Sequence, residues 1–134
     1  MTLVDTNVLL DIFSRDADWF SWSLENLETR STEGALVINE VIYAELSARV
    51  ETESILDELI AEVGVRLDRM PKSALFQAGK AFERYRRSGG TRTGVLPDFF
   101  IGAHAQVARL PILTRDIARY RTYFPNVGLI APEA

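Results

Sequence analysis

The sequence predicts a three-layer α/β/α domain with a central, mainly parallel sheet. Two observations lead there. Short apolar runs alternate with stretches patterned for helices, and that alternation implies parallel strands joined by helical crossovers and covered on both faces. The first run, Met1 to Val4, ends in Asp5-Thr6-Asn7, an acid followed by small polar residues at the carboxyl end of a strand, where sheets of this kind hold their ligands. A length of 134 residues fits one domain, residues 1–134, with a core large enough to need no covalent staple.

Taken in order, Thr2 to Val4 is a short buried strand, and Val8 to Phe13 a helix capped by Thr6 or Asn7. Ala17 to Arg30 is a second helix with Trp19, Phe20, Trp22, Leu24 and Leu27 as its apolar contacts. Trp19 and Trp22 share one helix face while Phe20 points elsewhere, which suggests that some of these rings serve an interface. Gly34 opens the strand Ala35 to Ile38, and Asn39 caps a helix from Glu40 to Val50. A helix from Glu53 to Val63 turns Ile55, Leu56, Leu59 and Ile60 inward, and Val65 to Leu67 is the third strand. Pro71 starts a long helix to Arg87 with Leu75, Phe76, Ala78, Gly79 and Phe82 inward. Ser88 to Val95 is a Gly/Thr-rich loop. Pro97 begins a helix to about Arg109, followed by the strand Pro111 to Leu113, a short helix Asp116 to Tyr123 and a last strand Gly128 to Ile130.

Composition narrows the chemistry. Without cysteine there are no disulfides and no thiolate metal sites, and a single histidine cannot make a zinc centre. A metal here is therefore oxygen-ligated, which favours Mg²⁺, with Mn²⁺ able to substitute. No apolar run approaches the length of a membrane span and no basic leader precedes the first strand, so a cytoplasmic protein without a membrane partner is expected. The net charge of −4 hides an asymmetry: residues 1–65 carry −11 and residues 66–134 carry +7. The basic half suits a phosphate backbone, although Arg and Lys also simply solvate helices.

Three further acids share the setting of Asp5: Glu45 among apolar neighbours in its helix, Asp98 after Leu96-Pro97, and Asp116 after the strand ending at Leu113. Each has a plain structural reading. Glu45 pairs with Arg49 one turn on, Asp98 favours its helix N-terminus, and Asp116 caps the short helix. Glu40, in a first helical turn, serves the helix dipole. Together, with no cluster of basic residues inside these motifs, four carboxylates would repel one another unless a cation joined them. Asp5 and Asp98 are the expected direct ligands. Glu45 and Asp116 would hold waters, orient the nucleophile or complete a second ion site, and Thr6, Thr114 and Asn7 would fix carboxylate orientation. Arg92, in the flexible loop, is the first candidate for substrate phosphate. Arg84 and Arg87, also candidates for substrate, read first as a solvated helix end, and Arg115 reads equally as a phosphate contact or a structural ion pair. His104 lies on another face of the helix of Asp98 and reads as a packed residue outside the site.

Asp5-Thr6-Asn7, Tyr43-Ala44-Glu45-Leu46, Leu96 to Ala105 with Asp98, and Leu113-Thr114-Arg115-Asp116, in that order and spacing, resemble the PIN domain, and in particular the VapC-type toxin of bacterial toxin–antitoxin pairs. The resemblance spans essentially the whole chain. It implies an endoribonuclease that uses Mg²⁺ or Mn²⁺ to hydrolyse RNA phosphodiesters through metal-activated water, with Asp5, Glu45, Asp98 and Asp116 as its acids. It also implies a homodimer silenced by a cognate antitoxin protein. Two other classes compete. One is a catalytically silent PIN-like module that binds RNA or protein. The other, a phosphatase or phosphoacceptor, is disfavoured because Asp5 is followed two residues on by Asn7 and no lysine precedes Lys72.

Overall fold

Five strands set the frame of the computed structural model, which describes residues 1–133. They are β1 (Thr2–Val4), β2 (Leu36–Ile38), β3 (Val65–Leu67), β4 (Ile112–Leu113) and β5 (Leu129–Ile130), in the order β3-β2-β1-β4-β5. Every pairing is parallel, with Leu3 opposite Val37 on one side and Ile112 on the other. β1 is thus the central strand. Its two neighbours continue the chain in opposite directions across the sheet, so a crevice opens beyond its carboxyl end. Leu3, Val4, Val37, Ile38, Ile112 and Leu113 are fully buried, as expected for a parallel sheet flanked by helices on both faces.

The helices are α1 (Thr6–Ser14), α2 (Phe20–Ser31), α3 (Glu40–Ser47), α4 (Glu53–Val63), α5 (Lys72–Arg87), α6 (Leu96–Ala108) and α7 (Ala118–Arg121). Local chemistry sets their ends. Asp5, rather than Thr6 or Asn7, caps α1. Helix α2 begins at Phe20, three residues later than its apolar pattern suggests. The carboxylate of Asp16 takes the backbone N–H groups of Asp18 and Trp19, each at 3.0 Å, and holds that segment in a turn. Asn39 caps α3 through the amide of Ile42 at 2.9 Å, but the helix ends at Ser47 instead of Val50. Gly64, at a φ of 87°, closes α4 in the left-handed conformation that favours glycine. The short helix contracts to Ala118–Arg121.

Two inward faces differ from expectation. On α5 the buried residues are Ala74, Ala78 and Ala81, while Leu75 and Phe76 are 43% and 63% exposed. Small side chains let α5 lie close to α6, where they pack with Phe99, Ala103 and Phe124. Phe76 instead lies under the ammonium of Lys80, 5.4 Å from its ring centroid. On α4, Leu56 and Ile60 are buried but Ile55 faces outward. The α2 rings are only half-buried: Trp19 and Trp22 meet edge-to-face at 6.0 Å, as their spacing suggested. Among the described residues no helix is long and apolar enough to cross a membrane.

His104 is a packed residue. It is buried, with Nδ1 3.0 Å from the Asn39 side-chain amide and Nε2 without a partner. Burial pulls its pKa below the ordinary 6.5, against the opposing charges of Asp68 and Glu40. The unfolded chain therefore takes up this proton first, so the contribution of a neutral His104 to stability is complete above about pH 6.5 and lost as pH falls toward the lowered folded value. Urea midpoints measured between about pH 7 and pH 5 should fall more steeply for the wild type than for His104→Gln. Gly102 tests the other core. A Cβ there would overlap the ring of buried Phe124, so Gly102→Ala should cost about 1–3 kcal/mol in chemical denaturation.

Candidate active site

The site is built around Asp5, which directly follows β1 and is completely buried. A carboxylate removed from water needs donors on both oxygens, and Asp5 has them. Oδ1 accepts the backbone N–H of Thr6 at 2.8 Å. Oδ2 accepts the hydroxyls of Thr114 and Tyr120, each at 2.8 Å, and the amide of Asn7 at 3.3 Å. Those donors come from the start of α1, the end of β4 and the helix α7, so the sheet and its last crossover both converge on one carboxylate.

Glu45 and Asp98 join it through a residue that sequence reasoning missed. The guanidinium of Arg119, on α7, donates from Nη1 to Asp5 Oδ1 at 2.6 Å, from Nη2 to Glu45 at 3.0 Å and from Nε to Asp98. The acids were expected to need a cation between them, and the chain supplies one of its own. Thr6 further orients Glu45, its hydroxyl donating to Oε1 at 2.6 Å. Glu45 therefore pairs with Arg119 and not with Arg49. Arg119 lies between Arg115 and Arg121, and nothing local in the sequence singles it out. Tyr120 and Phe124, four residues apart, could have been read as an inward face of that helix.

The remaining candidates separate. Asp116 lies exposed on the rim of the same cleft, its carboxylate taking the backbone N–H of Arg119 at 3.2 Å and its own N–H bonding Thr114. That is the helix-capping geometry. Arg92 also lines the cleft, at the edge of its loop. Arg115 is committed elsewhere: its guanidinium grips Asp11 with two bonds of 2.7 and 2.9 Å and lies over Trp19. Arg87 is exposed and pairs with Glu83 at 3.0 Å, and Arg84 is exposed away from the cleft residues. Asn7 ties the parts together, since its side chain also meets Thr114 and accepts the backbone N–H of Arg115 at 3.1 Å. Glu40 stays outside, accepting the N–H of Met70.

Electrostatics follow from this packing. Burial pushes the pKa of Asp98 up, and the neighbouring Arg119 only partly offsets it. Burial alone would pull Arg119 down, but Asp5, Tyr120 and Asp98 outweigh it and hold the guanidinium above its ordinary value. Burial and Asp5 raise Tyr120 well above the usual phenol range, so its hydroxyl stays a donor. The cleft, of about 600 Å³, is lined by Glu45, Asp98, Asp116, Arg119 and Arg92, with Tyr85 and Tyr123 along one wall. Three all-oxygen carboxylates facing one point suit a hard divalent cation in donor chemistry. Their spacing, however, is set by a guanidinium: among the described residues no three acidic or imidazole groups stand close enough to hold a metal ion.

Comparison with known proteins agrees with the geometry. A family model described as the PIN domain matches residues 2–125. The chain belongs to the PIN domain family. Solved structures that share the fold include VapBC2 of Rickettsia felis bound to a promoter DNA fragment, with a TM-score of 0.73, 16% identity and 97% of each chain covered. VapBC-1 of nontypeable Haemophilus influenzae has a TM-score of 0.72 at 14% identity, covering 97% of this chain and 96% of the other. DNA-bound VapBC of Salmonella typhimurium has 0.70 at 16%, covering 98% of each. A search among curated protein sequences gives no match. PIN toxins are nucleases, and PIN nucleases generally use divalent metals. In this PIN chain the support of Asp5 can be tested without activity. Tyr120→Phe removes one buried donor from a charged acceptor and should cost about 1.5–3 kcal/mol in urea denaturation.

Proposed function

We propose that this PIN chain is the toxin of a VapBC-type toxin–antitoxin pair, a Mg²⁺- or Mn²⁺-dependent endoribonuclease. One observation carries the reading. Asp5, Glu45 and Asp98, from three separate elements, converge at the carboxyl edge of the central strand on a single cationic group, in a cleft open to solvent. Structural ion pairs seldom recruit three carboxylates to one buried point, because each costs several kcal/mol to desolvate.

In that reading Asp5 and Asp98 would hold the cation directly, and Glu45 and Asp116 would hold waters, orient the nucleophile or complete a second ion site. A bound divalent cation supplies Lewis acidity to the phosphate and lowers the pKa of the attacking water. The chain's own residues do the rest. Thr114, Tyr120 and Asn7 occupy Asp5 Oδ2, so that Oδ1, bonded to Thr6 N–H and Arg119, is the oxygen turned toward Arg119. Thr6 fixes the rotamer of Glu45, whose second oxygen can hold a water or receive its proton. Arg92 offers charge to the RNA backbone at the cleft rim. A cognate antitoxin and a homodimer complete the proposal; the neighbouring structures are themselves toxin–antitoxin complexes. A silent binding module is the second reading. Arg119 favours it, since a site already neutralised by its own arginine is stable with no cation.

The deciding experiment incubates the antitoxin-free protein with a mixed pool of structured and unstructured RNA in Mg²⁺, Mn²⁺ or EDTA. The wild type should cut in either metal and stop in EDTA, and Asp5→Asn and Asp98→Asn should each lose at least about a hundredfold in rate. RNA retained without cleavage by a protein that binds Mn²⁺ would establish the silent module instead.

A further inference from the structure

We propose that Arg119 is a built-in competitor of the divalent cation, so that the acid centre has two mutually exclusive states, one locked by the guanidinium and one loaded with metal. The inference rests on reading the cluster as a cation site, and it concerns what that site must give up.

The contest is over particular atoms. Asp5 Oδ2 already accepts from Thr114, Tyr120 and Asn7, which leaves Oδ1 as the oxygen Asp5 can offer to a cation. Oδ1 carries the N–H of Thr6, fixed by the first turn of α1, and Nη1 of Arg119 at 2.6 Å. A cation entering this lone-pair sector displaces the movable donor, which is Arg119. At Glu45 the conflict recurs, because Nη2 of Arg119 lies 3.0 Å from Oε2 and 3.3 Å from Oε1. At Asp98 the Nε contact holds Oδ1. One side chain thus blocks the inward oxygen of all three candidate ligands.

Spacing argues the same way. A guanidinium spreads its partners around a planar fork, whereas Mg²⁺ draws oxygens to about 2.0–2.1 Å. The carboxylates stand at the wider spacing, with no metal-holding group of three among the described residues. Both cations cannot be accommodated together, since like charges a few ångströms apart in a desolvated site repel strongly. Arg119 also has somewhere to go. It sits on the four-residue helix α7, its side chain is 13% exposed, and it lines the open cleft.

Mn²⁺ alone is the probe. Its affinity would be measured by calorimetry for wild type, Arg119→Gln and Arg121→Gln, the last removing the same charge from an exposed position on the same helix. Competition predicts binding tighter by about tenfold or more in Arg119→Gln and little change in Arg121→Gln. Equal changes in the two variants, or weaker binding in Arg119→Gln, would overturn it. The wild type gives a second readout that does not depend on a variant folding. In a Mg²⁺ titration the NMR signal of the Arg119 Nε–H should move from a protected, bonded position to that of a free arginine, along the binding curve. A signal unmoved at saturation would also overturn the proposal. Metal binding without RNA cleavage leaves the competition standing while the nuclease reading fails; binding to neither wild type nor variant removes both.

Discussion

A carboxylate with no access to water at the end of the central strand is the constraint from which the rest of this PIN structure follows. Asp5 would be far too costly to bury alone, so its surroundings are organised to supply donors. The N-terminus of α1 gives a backbone amide, β4 gives a hydroxyl at Thr114, and α7 gives both a phenol and a guanidinium. The order of the strands makes this convergence possible, because β1 lies between β2 and β4 and its end faces the point where the crossovers part. Removing solvent from Asp5 also removes its freedom. Its orientation is over-determined by five neighbours, Thr6, Asn7, Thr114, Arg119 and Tyr120.

Much of the architecture was legible because strand and helix periods were carried by local patterns. The third strand, Val65–Leu67, and the helix Glu53–Val63 appear with the bounds their sequence predicts. Errors fell where tertiary context overrode the pattern. Leu75 and Phe76 are the bulkiest apolar residues at the start of α5, and by hydrophobicity they belong inside. The helix instead buries its alanine stripe, because close approach to α6 excludes large side chains there. Ile55 is outward for a related reason: Leu56 and Ile60 already fill the inward face of α4.

At the candidate site, the sequence showed the acids but not what joins them. Asp5, Glu45 and Asp98 were visible as carboxylates in apolar or element-end settings. Arg119 was invisible, since nothing local distinguishes it from Arg121 two residues later; only the fold, which turns one toward the cleft and the other to solvent, does so. Arg115 shows the reverse case. Its place beside a proposed ligand read equally as a phosphate contact or a structural ion pair, and the structure commits it to Asp11 and Trp19, where it ties the strand end to α1 and to the start of α2. The fold shared with VapBC structures at 14–16% identity indicates how little of the sequence such an arrangement has to dictate: buried aliphatic strands, capped helices and a few polar residues at strand ends.

The partners of Asp5 are distant along the chain. Thr114, Arg119 and Tyr120 lie 109, 114 and 115 residues after it. Contacts of such long sequence separation form late and slow folding, because a large loop must close first. During synthesis, strands β1 to β3 can emerge while Asp5 still lacks most of its donors and β1 still lacks one neighbour. The acid centre therefore cannot assemble on the ribosome until Arg119 and Tyr120 have left the exit tunnel. A growing chain carries Asp5 and Glu45 long before Thr114, Arg119 and Tyr120 arrive to complete their geometry, a delay written into the strand order itself.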